Sequence, residues 1–139
     1  DLHLCDRRQR QMCIRDRGVD MWAGELILRL KEQPGYGDIE LVVVLPFEGH
    51  DSKWDERSKR RMDFLLRMCS DCVVIGKEDC RENYIKRNCY MVDHADYLVA
   101  VYDNERNLRS GTMQTVRYAQ NKGITISFVN PDTATVTTN

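Results

Sequence analysis

A chain of 139 residues, 42% apolar and 31% charged, has room for one domain with a real core and not for two. Its net charge of −1 provides no bulk attraction to nucleic acid or anionic lipid. No apolar run approaches the roughly 20 residues of a membrane span, and the first residues lack the apolar stretch of a secretory signal, which points to a cytoplasmic protein without a membrane partner.

The first 17 residues, DLHLCDRRQRQMCIRDR, have no usable period, and their charges would disturb either face of a strand. The string from Met12 to Arg17 looks like translated adapter sequence from the ends of assembled reads. Residues 1–17 therefore read as a non-native or disordered leader, 18–130 as a partial domain, and 131–139 as a C-terminal tail that frays.

From Gly18 onward helix and strand alternate. Val19, Trp22, Ala23, Leu26 and Leu30 recur at helical spacing, and Pro34-Gly35 ends that helix. Ile39–Leu45 is continuously apolar, as expected of a strand covered on both faces, and Pro46 should stop it. Asp51 or Ser52 can cap a helix running to about Cys69, with Trp54, Ser58, Leu65 and Cys69 inward. Cys72–Ile75 reads as a short strand. A helix from about Arg81 to Ala95 places Tyr84, Ile85, Asn88, Met91 and Val92 on one side. A strand over Tyr97–Tyr102, a helix from Thr112 to Lys122 capped by Gly123, and a strand over Ile124–Val129 complete the pattern. Helices between short apolar strands predict an α/β fold with a parallel sheet flanked by helices.

Cys69, Cys72, Cys80 and Cys89 follow C-x2-C-x7-C-x8-C. Only the first pair has zinc-like spacing, and no histidine completes a knuckle, so small buried hydrophobes are the expectation.

Parallel sheets bind ligands at the carboxyl ends of their strands. After the Tyr97 strand come Asp103, a polar loop, and Ser110-Gly111-Thr112 opening a helix. Backbone N–H groups and the positive end of the helix dipole point there at the place an anion would occupy. Asn88 lies in an otherwise apolar helical stripe and needs partners, either to tie down a loop or to read a ligand. Arg87 beside it is either a planar fork for phosphate or a solvated surface arginine. Asp20, in the first turn of its helix, suits helix-dipole stabilisation or ribose hydroxyls, and Asp103, at the end of a strand, turn formation or ribose hydroxyls. Asp93-His94 is an acid–histidine pair with no nucleophile beside it, so a triad is not expected. His50, in a polar loop, carries little information.

Taken together, GVDMWAGELILRLKE, VVVLPFE, KWDERSKRR, IKRNCYMVDHADYLVAVYD and SGTMQTVRYAQNKGI resemble the YpsA-like branch of the SLOG superfamily, the Rossmann-like group of Smf/DprA and LOG proteins. The resemblance runs from Gly18 to about Val129. It implies a Rossmann-like domain whose first two strands, ending in TGHRP-like and SGGA-like loops, are missing here. Those strands would lie mid-sheet, so the chain as written should fold poorly, with unpaired edges on Ile39–Leu45. The resemblance further implies binding of a nucleotide-derived small molecule, NAD- or ADP-ribose-like. Gly18, Asp20, Arg87, Asn88, Asp103, Ser110, Gly111 and Thr112 carry over as binding residues, at a site incomplete without the TGHRP loop.

LOG-type phosphoribohydrolases follow their Gly-Thr with paired glutamates; here Gln114 and Thr115 stand instead. Neither can exchange a proton near pH 7, so non-catalytic binding is preferred over N-glycosidic hydrolysis. DprA-like single-strand DNA binding ranks last, because Lys53, Arg57, Lys59, Arg60, Arg61 and Arg67 share their helix with Asp55, Glu56 and Asp63. Homo-oligomerisation is left open.

Overall fold

The computed structural model describes residues 2–5, 9–13, 19–101 and 111–139, with side chains from Asp20 to Val101 and from Thr112 onward. Seven strands and four helices alternate: β1 (Leu2–Cys5), β2 (Gln9–Cys13), α1 (Val19–Lys31), β3 (Glu40–Phe47), α2 (Glu56–Met68), β4 (Asp71–Gly76), α3 (Arg81–Asp93), β5 (Tyr97–Val101), α4 (Gly111–Asn121), β6 (Thr125–Val129) and β7 (Val136–Thr138). The strands form one sheet in the order β4-β3-β2-β1-β5-β6-β7. Strands β2 to β6 run in one direction, while β1 and β7 run against their neighbours. The fold is α/β and Rossmann-like, with a mixed sheet in place of the expected parallel one.

The two central places that the sequence leaves empty are filled by the leader. β2 pairs in parallel with β3 from Gln9 opposite Glu40 to Cys13 opposite Val44. β1 pairs antiparallel with both β2 and β5. Only three residues separate β1 from β2, too few for a crossover, so the second strand must return antiparallel. Leu2–Cys5 and Gln9–Cys13 are thus strands, not the disordered leader expected. β3 consequently has a partner on each side.

Alternation along β3 divides the core. Leu41, Val43 and Leu45 pack with Met21, Ile27, Met62 and Leu65 under α1 and α2. Val42 and Val44 meet Met91 of α3 on the opposite face. Farther along that face Val92 joins Leu98, Ala100, Val116, Ala119 and Ile126 beneath α4. One helix therefore serves two clusters. Between α1 and α2, Arg61 donates from Nε to Glu25 Oε1 at 2.7 Å.

Several boundaries move for identifiable reasons. β3 continues through Pro46 to Phe47. Pro46 lies beyond Val44, the last β3 residue paired with β2, where a missing N–H disturbs that ladder least. The cap of α2 is Asp55 rather than Asp51 or Ser52, its carboxylate accepting from both Ser58 N at 3.1 Å and Ser58 Oγ at 2.7 Å. Gly49, Asp51 and Ser52 are instead used in turns, through Ser52 N to Gly49 O and Trp54 N to Asp51 O. Trp22 and Leu26 are 67% and 59% exposed, so α1 turns Met21 and Ile27 inward instead. On α3, Ile85 is exposed as well. The tail, expected to fray, adds β7 to β6, where Ser127 Oγ and Thr138 Oγ1 lie 2.8 Å apart and Tyr97 Oη also bonds Ser127.

Gly76 ends β4 directly under Asn83, whose amide donates to Glu78 O at 2.7 Å and holds the β4–α3 loop. A Cβ at position 76 would collide with that amide. Gly76→Ala is therefore expected to cost about 1–3 kcal/mol in chemical denaturation. Asn83→Ala in the same chain should recover part of the loss, and additive effects would refute the collision.

Candidate functional site at the carboxyl edge of the sheet

Because β2 to β6 share a direction, Cys13, Phe47, Gly76, Val101 and Val129 end at one edge. α1 enters from that edge at Val19 after β2, α3 at Arg81 after β4, and α4 at Gly111 after β5. α2 enters there too, at Glu56 after β3, so four helix amino termini converge on the edge, with their unsatisfied N–H groups and positive dipole ends. Among the binding residues expected from sequence, Gly18, Asp103 and Ser110 lie outside the described residues. Gly111 is the first residue of α4 and Thr112, half-buried, the second.

The structure distinguishes the two readings of Arg87. Its side chain is 0% exposed, so it is no solvated surface arginine. Six residues into α3, it sits roughly 9 Å along the helix from Arg81. Asn88, 7% exposed, turns its Oδ1 toward Arg87 and accepts from Nε at 3.2 Å and Nη2 at 3.1 Å. The Tyr84 ring lies 5.4 Å from the guanidinium carbon. Asn88 thus orients a buried cation, and the loop-tying amide is Asn83. Burial of a guanidinium is costly unless hydrogen bonds and negative charge compensate it, and the fixed fork suits an oxyanion.

Asp20 is 4% exposed in the first turn of α1, far more buried than dipole stabilisation at a surface requires. Asp93 and His94 do not act together. Asp93 Oδ1 accepts from Tyr118 Oη at 2.9 Å and lies 3.3 Å from Lys122 Nζ. His94 caps α3, with Nδ1 at 2.7 Å from Tyr90 O and its ring stacked on Tyr90.

The cysteines depart from expectation too. Cys72 is exposed, while Cys69, Cys80 and Cys89 are half-buried. Burial holds the thiols of half-buried Cys69 and Cys89 above their ordinary range. Among the described residues no three metal-donor side chains cluster, and no helix is long and apolar enough to cross a membrane.

Sequence reasoning passed over one group at this edge. Phe47, at the end of β3, packs edge-on against Tyr84 at 5.7 Å and His50 at 6.4 Å, and His50 against Trp54 at 5.2 Å. The signal was an aromatic at the carboxyl end of a strand followed by His50 and Trp54 within one loop. A separate groove of about 680 Å³, lined in part by Leu28, Arg60, Phe64 and Met68, runs between α1 and α2, away from the strand ends.

Comparison with known proteins agrees with this arrangement. A UPF0398 protein of Staphylococcus epidermidis is 25% identical over 107 residues, 75% of this chain and 56% of that protein. UPF0398 proteins of Bacillus cereus and Bacillus thuringiensis are each 29% identical over 91 residues, 64% of this chain and 48% of theirs. The chain thus spans about half the length of the curated relatives it matches. The YpsA model, described as the YspA SLOG family, matches residues 9–134. That span runs from β2 to the turn before β7, most of the chain: the chain belongs to the YpsA family of SLOG proteins.

Proposed function

We propose that the chain binds a nucleotide or nucleotide-derived ligand, NAD- or ADP-ribose-like, at the carboxyl edge of the sheet and does not transform it. The observation that carries this reading is Arg87, a wholly buried guanidinium aimed by Asn88 on a helix that enters from that edge. The α4 amino terminus at Gly111-Thr112 offers a phosphate its N–H groups, with Ser110 before it. Asp20 and Asp103 suit ribose hydroxyls, and Gly18 is carried over beside Asp20 as part of the same GVD motif. Against hydrolysis, neither Gln114 nor Thr115 ionises near pH 7 to serve as general acid or base, and Thr115 is 2% exposed.

Calorimetry against NAD, ADP-ribose and nucleoside monophosphates tests the reading. Heat of binding is expected with a phosphorylated ligand and not with the matching nucleoside. Free base should not accumulate on incubation; its release would favour a phosphoribohydrolase. Lack of heat with every nucleotide would refute the proposal.

A further inference from the structure

The rings at the end of β3 form a continuous group. Phe47 closes the strand, His50 and Trp54 belong to the loop after it, and Tyr84 reaches over from the first turn of α3. Interplanar angles of 84°, 84° and 78° make every contact edge-to-face. Within it, His50 Nε2 is buried with no hydrogen-bond partner. A buried ring nitrogen without a partner forfeits its hydration and gains nothing in return, which natural proteins rarely tolerate away from a functional site.

We infer that this cluster receives the planar base of a dinucleotide-length ligand, with His50 Nε2 hydrogen-bonded to the base's polar edge. The inference rests on the nucleotide reading above and specifies which end of the ligand lies where. Aromatic walls suit a heterocycle, which offers a π-face and a polar edge together. His50 is suited to that edge because it is neutral. Burial pushes its pKa below the ordinary 6.5, and Arg87 adds to that while Asp51 opposes it. A neutral imidazole offers one donor and one acceptor and has no charge to spend on phosphate.

The sheet sets the ligand's length. β3 and β5 are separated by β2 and β1. Three interstrand steps amount to about 14 Å. A phosphate at the α4 start, beyond β5, is therefore farther from the β3 rings than a mononucleotide reaches from base to phosphate. A nucleotide with two bridging phosphates spans that gap. Arg87, against Tyr84, borders the rings and offers the second anionic anchor.

Calorimetry with ADP-ribose and with ribose 5-phosphate, on the 139-residue chain and its His50→Phe and His50→Gln variants, tests this. His50→Phe keeps a ring in place and removes the nitrogen; it should lose about tenfold in ADP-ribose affinity and leave ribose 5-phosphate unchanged. His50→Gln, whose amide reaches the same region, should regain most of the loss. Equal loss for both probes, or no loss for either, overturns the inference while the nucleotide reading stands. If neither probe binds the unaltered chain, the inference is overturned, and the nucleotide reading falls with it when NAD and the nucleoside monophosphates give no heat either.

Discussion

Deleting residues 1–17 is expected to abolish the cooperative thermal transition and drive the remaining chain into aggregates. β3 would lose its partner from Glu40 to Val44, and β5 would lose its partner from Tyr97 to Val99. At about 1 kcal/mol for each ladder bond, the five β2–β3 positions alone approach the whole stability of a domain this size. The sheet would also separate into β4-β3 and β5-β6-β7, joined across the gap chiefly by α3 through Met91 and Val92. An exposed edge reading ELVVV is a template for intermolecular pairing. Circular dichroism on heating, with light scattering, measures both effects. Gln11→Pro is the finer version, because Gln11 is paired to His3 on one side and Val42 on the other. A soluble monomer that melts cooperatively without residues 1–17 would show that these strands do not support the sheet.

Replacing Arg87 should produce the second large effect. For a solvated arginine, truncation to alanine changes stability by less than about 0.5 kcal/mol. Arg87 is wholly buried, so Arg87→Ala opens a cavity and removes both of its bonds to Asn88 Oδ1, at a cost of about 2–5 kcal/mol. Denaturant titration measures it. Arg87→Lys separates folding from binding, since it keeps the charge and most of the volume but loses the planar fork. It should fold and yet weaken any phosphate-bearing ligand. Unchanged affinity in Arg87→Lys would take Arg87 out of the site.

Much of this architecture was legible because apolar periodicity reports burial. IELVVVL, YLVAV and ITISFV read as strands since helices that are themselves patterned cover them, and CVVI through its β-branched run, although Val74 on that edge strand is 47% exposed. β1 and β2 were illegible for the opposite reason. LHLC alternates over only three residues and QRQMC not at all, and what places them is backbone pairing to strands already in position. β7 escaped notice similarly, as three exposed residues held on β6 by ladder bonds and hydroxyl contacts. At the α2 cap, the sequence pointed to Asp51 or Ser52, and Ser58 moved the cap to Asp55 by bonding its carboxylate twice.

The site was legible where a residue type contradicted its pattern. Asn88 stood out in an apolar stripe with Arg87 beside it, and both are buried, which excludes the solvated reading of Arg87. Asn83 and His50 did not, because their significance lies in neighbours distant in sequence: Gly76 beneath the first, Phe47 and Trp54 around the second.

The reversed direction of β1 has a practical effect on how the molecule is handled. Leu2 lies opposite Val99, so an extension ahead of Leu2 leaves the sheet on the side where α1, α3 and α4 begin. Thr138 lies opposite Ser127 on a strand running against β6, which sends the other terminus toward the far side. An affinity tag or fluorophore belongs after Asn139, where it cannot crowd an incoming small molecule.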